Sequence, residues 1–149
     1  MSNETLALNQ INIVVGDMRA SIDFYRRLGV EMEEPAGEDE PFHVNGEATH
    51  GLKIDLDSPK FAQVWNKGWA GRNDLAGRVV IGFEVATRTD VDRLYQELTS
   101  AGHGGLQAPF DAFWGARYAV VEDPNGIAVG LMSPIDPERK FWPPENWEG

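Results

Sequence analysis

The side chains best equipped for chemistry in this chain are aromatic rings set among turn residues. Trp65 and Trp69 lie on the crossover between the two halves, while Phe110, Phe113 and Trp114 precede Gly115-Ala116-Arg117. Such rings suit a flat ligand by stacking, or a cation through the ring face. Single tryptophans also serve as core or interface anchors, so the grouping on connecting segments carries the expectation. Gly115 lets a ligand or backbone approach closely, and the planar guanidinium of Arg117 suits either a ligand carbonyl or a structural salt bridge.

The titratable groups are less telling. His43 follows Phe42 on an expected strand, His50 begins another, and His103 sits in a Gly-rich turn, so His43 is the histidine placed for ligand contact. No Ser-His-Asp order, phosphate loop or HExxH spacing is present, and Glu84 remains as a general base acting without metal. The chain has no cysteine, which removes disulfides, thiolate ligands and a cysteine nucleophile.

These groups must be positioned by a repeated local grammar. Gln10 to Asp17 alternates like a strand, Asp17 is a good N-cap for a helix over Met18 to Leu28, and Gly29 stops it. Val79 to Val85 repeats the strand, and Thr89 or Asp90 can cap a helix carrying Val91, Leu94, Tyr95 and Leu98 that stops at Gly102. Short strands follow each helix: 30–33, 42–44 and 49–55 in the first half, then 105–107 and a hairpin in the second. That hairpin turns at Asp123-Pro124-Asn125-Gly126, where Pro sets φ and Asn-Gly accepts positive φ. Ser58 and Pro59 open a short helix on the crossover.

The predicted class is α+β: two βαβββ modules forming a curved mixed sheet with a concave cavity and helices on its outer face. Residues 8–57 form module one, 58–77 the crossover, 78–134 module two and 135–149 a C-terminal tail, within one domain spanning 1–149. At 149 residues and 42% hydrophobic content the chain can bury a sizeable core. The net charge of −11, with 13 Lys and Arg against 24 Asp and Glu, argues against nucleic acid and would favour a cationic ligand. No apolar run is long enough to span a membrane, and the start lacks the features of a secretion signal, so a cytoplasmic location is expected.

The paired modules, the run from Val15-Gly16-Asp17 to Phe24-Tyr25-Arg26-Arg27-Leu28-Gly29 and the closing Asp123-Pro124-Asn125-Gly126 resemble the vicinal oxygen chelate superfamily. That group includes glyoxalase I, extradiol dioxygenases, fosfomycin-resistance enzymes and bleomycin-resistance proteins, and the resemblance covers about residues 8–134. It implies a divalent metal held by one residue from the first and one from the last strand of each half. Those positions correspond to Gln10, Asp55, Val80 and Gly130. Gln10 and Asp55 could bind a metal, whereas valine and glycine offer no side-chain donor. Glu84, Asn12 or His43 would have to complete a shifted site.

Strand parity puts Gln10, Asn12 and Val14 on the cavity side of the first strand, and Lys53 and Asp55 on that side of the next. In the second half it puts Val80, Gly82 and Glu84 there, with Ala128, Gly130 and Met132, and the notional cavity side also receives Arg117 with Ala119 and Val121. The stretch Trp114 to Ala119 resembles the branch that sequesters bleomycin, mitomycin or related drugs between paired subunits. The expectation is therefore a homodimeric, metal-independent and cofactor-free protein binding an aromatic, cationic antibiotic-like ligand. Its expected ligand-binding residues are Asn12, His43, Trp65, Trp69, Glu84, Phe113, Trp114 and Arg117, with no catalytic residue. The alternatives are a metal-dependent lyase, isomerase or dioxygenase using Gln10 and Asp55, and a structural dimer with a vestigial cavity. The aromatic tail from Phe141 to Trp147 is expected at a dimer contact or over a ligand groove.

Overall fold

A computed structural model describes residues 8–35, 41–66, 79–145 and 147. It is α+β and divides into two compact units, 1–73 and 74–149. In the first, β1 (Gln10–Val14) runs parallel to β5 (Lys53–Asp57), between them come α1 (Met18–Arg27), β2 (Glu31–Met32), β3 (His43–Val44) and β4 (Gly46–Glu47), and α2 (Pro59–Trp65) follows. The sheet order is β1-β5-β4-β2, with β3 also pairing to β5. The second unit repeats the plan: β6 (Val80–Glu84), α3 (Arg88–Ser100), then β7 (Gly105–Asp111), β8 (Arg117–Glu122) and β9 (Ala128–Met132), in the order β6-β9-β8-β7 with β6 parallel to β9.

Each helix begins where a side chain satisfies orphan backbone amides. Asp17 accepts from the Ala20 amide to cap α1, and Ser58 accepts from the Phe61 amide to cap α2, with Pro59 in the first turn. The cap of α3 is Thr87 rather than Thr89 or Asp90, and the helix starts at Arg88. Thr87 and Asp90 each bond the other's backbone amide, so the residue expected as the cap is the reciprocal partner three positions on.

Buried apolar residues in the first unit include Ile13, Val15, Ile22, Phe24, Tyr25, Ile54 and Leu56. The Phe24 and Tyr25 rings meet edge-on, centroids 5.1 Å apart. In the second unit Val91, Leu94 and Leu98 of α3 are buried with Ala119, Val121, Val129 and Leu131, and α3 packs on β8 and β9. The hairpin turn forms as its residues dictate: Asp123 caps it by accepting from the Asn125 and Ile127 amides, and Gly126 takes φ +83.

Several short elements differ from expectation. Thr49–Gly51 forms a 3₁₀ turn rather than the start of a strand, β5 runs on to Asp57, and the two-residue β4 adds a strand. β7 extends to Asp111, with register shifts on either side of Gln107. Trp69 and the whole Gly-rich connection from Gly68 to Gly77 lie outside the described residues. Among the described residues no helix is long and apolar enough to cross a membrane.

Candidate functional site

The faces of the two sheets that turn away from α1 and α3 differ in chemistry. On the second sheet the register aligns Glu84 of β6, Met132 of β9, Tyr118 of β8 and Phe110 of β7 in one cross-strand row. The adjacent row holds Gly82, Gly130, Val120 and Gln107. A side chain at Gly82 would project into open space, whereas a Cβ at Gly130 would fall within 2.6 Å of the Tyr118 hydroxyl. The floor is therefore open at Gly82, whereas Gly130 is buried with the Tyr118 ring against it.

Rings from the loop before β8 complete a wall. Trp114 meets Tyr118 with centroids 5.3 Å apart at 70°, Phe110 meets Tyr118 at 6.2 Å and Trp114 at 6.3 Å, and Phe113 packs edge-on to Trp114 at 5.1 Å. The Trp114 indole N–H donates to the Met132 sulfur at 3.3 Å, which fixes the ring over the same face. A C-terminal strap holds this loop: the Asp136 amide donates to the Gly115 carbonyl at 3.0 Å and the Phe141 amide to the Phe113 carbonyl at 2.9 Å. Gly115, at φ +95, gives the strap room, because any Cβ there would collide with the Asp136 carbonyl. Beyond the strap, Trp142 packs on Phe113 at 5.2 Å and Trp147 on Trp142 at 5.4 Å.

On the first sheet the corresponding face is a hydrogen-bonded chain of polar groups. Gln10 donates to the Asn12 amide oxygen at 2.7 Å, and Asn12 donates to Asp57 Oδ2 at 2.9 Å. His43 Nδ1 lies 2.5 Å from Asp57 Oδ1, and its Nε2 lies 3.0 Å from the Asn45 amide oxygen. Asp57 is fully buried, with both oxygens engaged. Asp55 does not open into a cavity as expected: it is buried and accepts from the Gly46 amide at 3.2 Å. Trp65 ends α2 and is half-exposed.

Arg117 is placed opposite to the expected side. Ala119 and Val121 pair with Leu131 and Val129 under α3, so Arg117, two residues before Ala119, shares the helix side of the sheet. There it reaches Asp92 of α3 at 2.9 Å and Asp111 at 3.2 Å, while Arg88 pairs with Asp111 as well. The salt-bridge alternative holds, and the β8 residue on the face away from α3 is Tyr118. Pairing β8 with β9 by their apolar residues would have revealed this, since Ala119 and Val121 belong with Val129 and Leu131. Asp57 was missed for a different reason: it has the parity of Asp55, but its partner His43 lies 14 residues away.

The metal implied by the resemblance does not fit these residues. Val80 and Gly130 have no side-chain donor atoms, which leaves Gln10 and Asp55 of the four positions, and one Asp55 oxygen is taken by a backbone amide. Among the described residues no three His, Asp or Glu side chains converge on a point that could hold an ion. The second sheet instead offers a surface of rings, a thioether and one carboxylate.

Comparison with known proteins agrees with this architecture. The model of the Glyoxalase/Bleomycin resistance protein/Dioxygenase superfamily matches residues 7–131. An uncharacterized protein of Mycobacterium tuberculosis is 29% identical over 139 residues, covering 89% of this chain and 80% of its own. A family enzyme from Burkholderia phytofirmans superposes with a TM-score of 0.72 at 20% identity, over 86% of this chain and 98% of that one. A glyoxalase-related enzyme from Fulvimarina pelagi gives 0.72 at 21% identity, over 87% and 89%. Those two structures share the fold, and the matched family model places the chain: it belongs to the glyoxalase/bleomycin resistance protein/dioxygenase superfamily.

Proposed function

We propose that this chain is a metal-independent binding protein that holds an aromatic, cationic small molecule, such as an antibiotic, without changing it. The observation that carries the reading is the second sheet's row of Glu84, Met132, Tyr118 and Phe110 beside the open floor at Gly82. A planar ligand laid on that floor meets the faces and edges of Trp114, Tyr118 and Phe110, and Glu84 at the row's end supplies the charge that favours a cation. The net charge of −11 favours approach by the same class of ligand. Trp114 and Phe113 are retained from the sequence reading, Phe110 and Tyr118 join them, and Arg117 leaves the set.

In this reading the protein works in the cytoplasm as a homodimer, and the exposed Phe141, Trp142 and Trp147 support a contact between two copies. The test is to mix chelator-treated protein with proflavine, a planar cation, and follow tryptophan fluorescence. Saturable quenching, with proflavine recovered unaltered by mass spectrometry, is the expected result. A converted product, or no quenching up to millimolar probe, would refute the reading.

A further inference from the structure

In the first unit a fully buried carboxylate and a half-buried histidine form a device that the binding reading does not use. Asp57 accepts from Asn12 on one oxygen and faces His43 Nδ1 with the other. The opposite ring nitrogen faces the Asn45 amide oxygen, and Asn45 turns its own NH₂ to Glu33 Oε2 at 2.9 Å. An ionised carboxylate and an amide oxygen only accept. Both ring nitrogens therefore meet acceptors, and only the doubly protonated imidazolium satisfies both. Inverting the Asn45 amide would suit a neutral ring, but it would turn the amide oxygen toward the Glu33 carboxylate.

We infer that His43 is a protonation-controlled clamp, which as imidazolium ties Asp57 of β5 to Asn45 and, through it, to Glu33, and which on losing its proton frees the Asn45–Glu33 end.

The groups facing the ring come from each packed element. β5 brings Asp57 and Asp55, the segment before β4 brings Asn45 with Glu33 behind it, α2 brings the Phe61 ring with centroids 5.4 Å apart, and β1 brings Asn12 through Asp57. Burial works against the charged ring. The hydrogen bonds to Asp57 and Asn45 and the charges of Asp57 and Asp55 outweigh it and hold the His43 pKa above 6.5. The end released borders a cleft of about 530 Å³ lined by Glu31, Glu33, Asn45, Glu47 and Lys53, so the proton on His43 decides whether the Asn45 side chain, with the Glu33 carboxylate it holds, is tied to β5 or left to the cleft.

The test is ¹⁵N NMR of the histidine rings across pH 5 to 9, with the His43 signals assigned by their loss in His43→Gln. The expected result is protonated-type shifts at both ring nitrogens near pH 6, a midpoint above 6.5, and movement of the Asn45 side-chain NH₂ signals with that same midpoint. Asn45→Ala, at an exposed position, should lower the midpoint toward 6.5. A midpoint at or below 6.5, Asn45 signals that ignore the ring, or no change in Asn45→Ala would overturn the clamp.

Discussion

The two units are built on one plan and finished with opposite chemistry. In each, the first strand runs parallel to the last, β1 with β5 and β6 with β9, and a capped helix follows the first strand. The first unit spends its open face on polar groups that satisfy one another: Gln10, Asn12, Asp57, His43, Asn45 and Glu33 form a continuous chain. The second has no such chain on its face, with an open floor at Gly82 and rings for a wall. A face whose donors and acceptors are already paired has little left for a ligand, whereas bare backbone beside half-buried rings gains by being covered. The repeated scaffold gives the fold, and the face grafted on it decides the function.

If the scaffolds are equivalent, truncating a fully buried leucine should hurt both alike. Leu56→Ala and Leu131→Ala should each cost ~2–5 kcal/mol in urea unfolding, and a large inequality would break the parallel. The next effect separates the faces. Gly130→Val should overpack against Tyr118, costing ~1–3 kcal/mol and removing proflavine binding, because the new side chain displaces the Tyr118 ring. Asp57→Ala should cost a comparable ~1–3 kcal/mol by stranding Asn12 and His43, yet leave proflavine affinity unchanged. Trp114→Ala should weaken proflavine about tenfold by calorimetry, and Glu84→Gln by a smaller factor that shrinks further in high salt.

The smallest effect is the pH dependence of the first unit. The folded His43 pKa is raised, so its contribution to stability is present in full below 6.5 and is lost as pH rises through the folded value. Unfolding midpoints measured from pH 6 to 9 should fall across that window in the wild type and should flatten in His43→Gln.

Much of this was legible from the residues. Asp17, Ser58 with Pro59, and Asp123-Pro124-Asn125-Gly126 are local signals, and each forms the cap or turn its chemistry dictates. Strand parity also worked where apolar residues mark one side plainly, as with Ile13 and Val15 or Val129 and Leu131. It failed on β8, where Arg117 precedes Ala119 and Val121 and a charged residue sits on the helix side because Asp92 and Asp111 are there to pair with it. Two-residue strands such as β4 leave no period to read, and the link between Asp57 and His43 depends on the β3–β5 register, which no local pattern specifies.

The central claim is that the second sheet's open face binds a planar cation without a metal. Isothermal titration of proflavine into chelator-stripped protein, repeated after loading with nickel and repeated again with Trp114→Ala, tests it most directly. The account predicts saturable binding that is the same with and without nickel and about tenfold weaker in the variant. Binding that appears only after nickel is added, or that ignores the loss of Trp114, would contradict it.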